Sequence, residues 1–224
     1  MPTVNIRPTL TPTAIFSIVG LAALLSLFLW DSPFLLPLKL ITVYLHEACH
    51  ALASLLTGGV PFALSVSLNE SGRTLSAGGF LPVVAAAGYV GTAAIGAALI
   101  ALSRNPRTQQ VFVLILCGLL LLLTVTVLKI WQWEFWAGAL FALSWLWFNF
   151  RAQKLALYLN LFMGCFLCVY SLHDFLDFYY AVNATDAGIL ASSWGLPFLA
   201  LPIALSWMAI NLYLMVQALR LALR

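Results

Sequence analysis

The sequence predicts an all-α membrane protein, a polytopic bundle of about 6–7 transmembrane helices with one short β-hairpin, and three observations carry that prediction. Of the 224 residues, 63% are hydrophobic and 8% charged, against about a quarter charged in an ordinary soluble domain. Apolar runs of roughly 18 residues or more, each able to cross a hydrocarbon core about 30 Å thick as a helix, recur along nearly the whole chain. Charges and prolines gather in the short separators. The reading is a single transmembrane domain over residues 1–224.

The apolar segments fall at residues 13–30, 34–57, 79–102, 110–129, 133–150, 155–182 and 196–219. Arg7 precedes the first, which is longer than a signal-peptide core. It runs into Asp31-Ser32-Pro33 with no small-x-small cleavage pattern, so it reads as a transmembrane helix. Pro33, Arg104-Asn105-Pro106-Arg107, Arg151 with Lys154, and Gly195 with Pro197 are ordinary breaks between helices.

One connection differs. Residues 63–77 alternate apolar and hydroxylated side chains around the turn signal Asn69-Glu70-Ser71-Gly72, which is the period-two pattern of a hairpin. An open strand edge is not tolerated in lipid, so the hairpin belongs at the interface or against a wet cavity, where it could pair with an extended peptide. The helix after it carries Gly88, Gly91 and Gly96, whose expected role is close backbone packing, with lining of the site as the secondary reading. Tyr89, Trp131, Trp133 and Trp136 read as packing or interface aromatics.

A net charge of +3, scattered between apolar segments, gives no patch for tracking phosphates. The expected surroundings are the lipid bilayer, with no nucleic acid. Cys49, Cys117, Cys165 and Cys168 sit within apolar segments and read as free thiols. The distribution of Lys and Arg favours a cytoplasmic C-terminus, in the cytoplasmic membrane if the source is bacterial.

Seven carboxylates are present. Asp31, Glu70, Glu134 and Asp186 fall in connections, while Glu47, Asp174 and Asp177 lie within long apolar segments, as do His46, His50 and His173. An ionisable group at that depth is a functional candidate unless it is paired. His46 and His50, at i and i+4 of a helix over 34–57, project from one face and can grip one metal ion with Glu47 alongside. One Zn2+ suits two imidazoles and a carboxylate, with a position left for water whose pKa falls to about 7. Glu47 is then the general base. The third ligand is expected from the helix over 155–182, with Asp174 first, Asp177 next and His173 as competitor. Asn160 reads first as a polar helix-packing contact, with holding substrate backbone as its other reading.

The stretch His46-Glu47-Ala48-Cys49-His50, continuing to Gly58-Gly59, resembles the metal helix of site-2-protease-type intramembrane metalloproteases, in particular a compact, peptidase-like membrane branch. Ser76-Ala77-Gly78-Gly79, Gly88-Tyr89-Val90-Gly91, Tyr170 to Asp177, and Thr185-Asp186-Ala187 are similar as well. The resemblance implies His46 and His50 as zinc ligands, Glu47 as base, an aspartate from a later helix as third ligand, and cleavage of peptide bonds within or near the membrane. The implied partner is a transmembrane or membrane-proximal protein substrate. Two other functions fit the residues: an inactive metal-binding scaffold or chaperone, and a metal or small-solute transporter.

Overall fold

The computed structural model describes residues 10–173 and 185–224. Helix α1, Pro12–Phe28, starts on Thr11, whose side chain accepts from the Ala14 amide, with proline inside the first turn. A 3-10 turn at Pro33–Leu35 leads into α2, Leu36–Leu56. The hairpin follows as β1, Val60–Val66, and β2, Gly72–Ala77. The next crossing is compound: α3, Leu81–Ala86, a π turn at Ala87–Gly91, and α4, Thr92–Ala101. Then come α5, Pro106–Val127, α6, Trp133–Arg151, and α7, Gln153–His173. A short helix α8, Asp186–Ser193, and a 3-10 turn at Pro197–Leu199 precede α9, Ala200–Leu223.

The chain is a polytopic, predominantly helical membrane protein. Among the described residues, the stretches Leu81–Arg104, Pro106–Val127, Gln153–His173 and Pro197–Leu223 are each long and apolar enough to cross a bilayer. The expected hairpin is present and starts earlier than residue 63. Its strands are antiparallel, with Val60 opposite Ala77 and Val66 opposite Gly72 and a bulge between Pro61 and Ala63. Glu70 takes a left-handed φ of 68° in the turn. The outer edge of β1 is held from α6 and the residue before it. The Val66 amide donates to Glu134 Oε1 at 3.1 Å, and Gln132 Nε2 donates to the Leu64 carbonyl at 3.4 Å. Glu134, expected in a connection, is therefore a buried residue in the first turn of α6.

Helix α2 runs through the core. Leu45 and Ala51 on it are fully buried, and the Tyr44 hydroxyl pairs with Thr124 Oγ1 of α5 at 2.5 Å. Helix α4 packs closely on α7, because Gly96 and Gly164 let the backbones meet. A Cβ on Gly96 would lie 2.6 Å from the Gly164 carbonyl oxygen, and one on Gly164 would lie 2.7 Å from that of Gly96. Asn160 is a packing residue. Its Oδ1 accepts from Trp145 Nε1 at 2.7 Å, and its Nδ2 donates to Gln109 Oε1 and Asn149 Oδ1, both at 3.0 Å, so its hydrogen bonds are spent between α5, α6 and α7. All four cysteines are free.

Candidate metal centre

His46 and His50 stand one turn apart on α2, and their rings lie 4.8 Å apart between centroids. Two neighbours fix them. His50 Nδ1 lies 2.6 Å from the Val84 carbonyl oxygen of α3. With Nδ1 donating there, Nε2 keeps its lone pair for a ligand, the usual arrangement of a metal-binding imidazole. His46 packs edge-on against Tyr89, 4.8 Å away, which itself stacks on Trp207 of α9.

The third group is Asp186. Its Oδ2 lies 3.2 Å from His46 Nε2 and 3.2 Å from His50 Nε2, and the three ligand atoms all fall within 4.8 Å of one another. Asp186 begins α8, where the Thr185 hydroxyl oxygen accepts from the Gly188 amide at 3.1 Å and fixes the start of the helix. Helix α8 has eight residues and is too short to span a membrane. Burial pushes the Asp186 carboxyl up, but the His50 imidazole, with His46 behind it, outweighs that and holds the group well below the usual carboxylate range.

These residues could hold one metal ion, and two of the three separations suit tetrahedral coordination. Two ligand atoms each about 2.0–2.1 Å from a tetrahedral ion lie about 3.3 Å apart, and the carboxylate oxygen stands 3.2 Å from each imidazole nitrogen. Gly88, in the π turn, gives independent support. Its φ lies outside the left-handed region, so the backbone would accept a side chain. A Cβ there would nevertheless fall upon His46 Nε2 and His50 Nε2. The missing side chain keeps open the space in front of both nitrogens. π turns recur at functional sites because the extra residue shifts the helix face, and here the shift sets backbone where a side chain would block the imidazoles.

Glu47 is buried at 6% exposure. Its Oε2 accepts from Thr74 Oγ1 of β2 at 2.6 Å, and the same hydroxyl lies 3.0 Å from the Glu47 carbonyl oxygen. A Cβ on Gly72 would strike Glu47 Oε1 and lie 2.8 Å from its Cδ. The hairpin therefore touches the carboxylate at two points.

Of the residues expected at the site, His46 and His50 come together on α2, and Glu47 between them in sequence is buried with its carboxylate against β2. Asp174 and Asp177 lie outside the described residues. His173 is on α7, stacked on Trp30 at 3.7 Å. Asp186 was expected in a connection and instead faces both imidazoles. The available signal was Thr185-Asp186 ahead of a run of small and apolar residues, which is a helix start with an acidic first turn. Gly88 lies in a segment that carries the resemblance, whereas Gly72 and Thr74 had no comparable signal, since their roles exist only across elements.

The sequence model of the Peptidase M50B-like family matches residues 18–218, from within α1 to near the end of α9. No curated protein and no solved structure matches the chain.

Proposed function

We propose a proteolytic activity for this chain, which belongs to the Peptidase M50B-like family: zinc-dependent hydrolysis of peptide bonds in membrane-embedded substrates. His46, His50 and, among the described residues, Asp186 hold the ion, and Glu47 is the general base. The observation that carries the reading is the convergence of two imidazole nitrogens and one carboxylate oxygen beside a buried glutamate. Zinc bound there would supply Lewis acidity toward the scissile carbonyl and a water acidified to about pKa 7.

The chain's own groups do the rest. Glu47 takes the proton of the attacking water and returns it to the leaving amine. Val84 and Tyr89 hold the imidazole rings in place, and the surrounding apolar helices keep bulk water out. A helical substrate hides its carbonyls in internal hydrogen bonds, so the peptide has to be extended before attack. The β2 strand beside Glu47 is the element suited to pair with it.

The deciding experiment compares purified wild type with Glu47→Gln for bound zinc and for cleavage of a panel of single-span membrane proteins. Both should carry one zinc, and only wild type should cleave. Equal cleavage by the two sinks the role of Glu47. Absence of metal from both sinks the site. Zinc without cleavage by wild type leaves the scaffold reading in place of the protease, and zinc movement into sealed vesicles would point to transport.

A further inference from the structure

We propose that Thr74 is a positioning residue for Glu47, so that strand β2 is a working part of the catalytic assembly and not only its wall. The inference rests on the proteolytic reading above.

The Thr74 hydroxyl has a single proton and two acceptors in reach, Glu47 Oε2 at 2.6 Å and the Glu47 carbonyl oxygen at 3.0 Å. The carboxylate oxygen is both nearer and charged, and hydrogen bonds to an ionised acceptor are roughly twice as strong as neutral ones. The proton therefore belongs to the carboxylate. Gly72 supplies the other half of the grip. Its backbone lies outside the left-handed region, so glycine is not required there by conformation. What excludes a side chain is the Glu47 carboxylate lying against it. One oxygen of the base is held by a hydroxyl and the other rests against bare backbone, which leaves the group little freedom to swing.

The strand that makes this grip is itself anchored. Lys39, on α2 seven residues before His46, is 4% exposed and donates to Glu70 Oε1 at 2.6 Å. Its ammonium also sits 5.1 Å from the Trp30 ring centroid. Glu70 is at the hairpin turn, two residues before Gly72. The helix carrying the histidines thus binds the hairpin near both ends of one short segment: Lys39 at the turn and Glu47 at mid-strand. If Thr74 served only to tie hairpin to helix, the Lys39–Glu70 pair would duplicate it. What the pair does not supply is the hydrogen bond from Thr74 to the base.

The test uses full-length zinc-loaded protein and the variants Thr74→Val, which keeps the shape and loses the hydroxyl, and Thr74→Ser, which keeps the hydroxyl. Thr74→Val should retain one zinc and lose about 10- to 100-fold in kcat with little change in KM, since misplacing a reacting group by about 1 Å can cost that much. Thr74→Ser should return most of the rate. Gly72→Ala, which leaves Thr74 intact, should also lower kcat at full zinc content, and it decides the matter if Thr74→Val does not fold. Difference infrared spectra with labelled glutamate, the Glu47 band being assigned by its loss in Glu47→Gln, should show that band moved in Thr74→Val and restored in Thr74→Ser. This readout needs no turnover, so it separates failure of the positioning role from failure of the protease reading. The proposal is overturned by wild-type kcat in Thr74→Val or in Gly72→Ala, by Thr74→Ser as impaired as Thr74→Val, by zinc loss in Thr74→Val, or by an unmoved carboxylate band.

Discussion

Replacing Gly88 by alanine adds one carbon at the place where the two imidazoles point. That carbon would lie 2.6 Å from His46 Cδ2 and closer still to the Nε2 atoms of His46 and His50, whereas carbon atoms in contact sit about 3.5–4.0 Å apart. About 1 Å must be gained, either by the rings or by the π turn. The turn is confined, because the Cys49 side chain lies against Gly91 at its end and Val84, one turn earlier, is bonded to His50. The rings are the softer side, and a ligand displaced by about 1 Å far exceeds the roughly 0.2 Å tolerance of a metal–ligand bond. The expected result is a zinc Kd at least about 100-fold weaker, near 2.8 kcal/mol. The metal-free protein should melt within a few degrees of wild type, because empty imidazoles can move aside. Competition against a chromophoric chelator measures the first quantity and thermal unfolding in detergent the second. Wild-type zinc affinity in Gly88→Ala would refute the reasoning, for it would mean that the ion does not occupy the space in front of Gly88.

Two further variants probe the same site and its frame. Asp186→Asn should lose zinc by about 100-fold or more, whereas Asp174→Asn and Asp177→Asn should keep it, as metal content after dialysis will show; the opposite pattern would return the third ligand to the helix over 155–182. Asn160→Leu removes three hydrogen bonds. At about 0.6 kcal/mol for each such bond in a membrane protein, it should cost about 2 kcal/mol of stability while leaving zinc content and KM unchanged. A raised KM at unchanged stability would restore Asn160 as a substrate contact.

What was legible in the sequence had short range. His46 and His50 could be paired because helix geometry alone puts i and i+4 on one face, and no partner is needed to see it. The hairpin could be drawn because alternation and a turn are both local. Asp186 is 136 residues beyond His50; Thr185-Asp186-Ala187 belonged to the resemblance, but that the carboxylate faces the imidazoles shows only in the fold, where α8 packs on α3. Gly88 shows the same limit from the other side. Its spacing with Gly91 and Gly96 suggested helix packing, yet only Gly96 meets the backbone of another crossing helix, and Gly88 serves the histidines. The π turn that makes this difference depends on how α3 and α4 seat against α2, which no run of small residues announces. Asn160 was ambiguous for a related reason, because a buried amide looks alike in sequence whether its partners are substrate or neighbouring helices.

The hydrogen bonds from Glu134 and Gln132 to β1 have a consequence for how the molecule meets other chains. Any two-stranded sheet has two flanks, and either can recruit a stranger or a sibling copy. Here one flank is occupied, since the Val66 amide and the Leu64 carbonyl are already engaged by α6 and the residue before it. A strand arriving from that direction would have to displace these two bonds before it could pair with the Leu64–Val66 end of β1. Among the described residues β2 pairs with β1 alone, so growth of the sheet is confined to the flank that carries Thr74. The sheet thereby has handedness of access: self-association is discouraged on one side, and the opposite side, next to Glu47, is the one left for visitors.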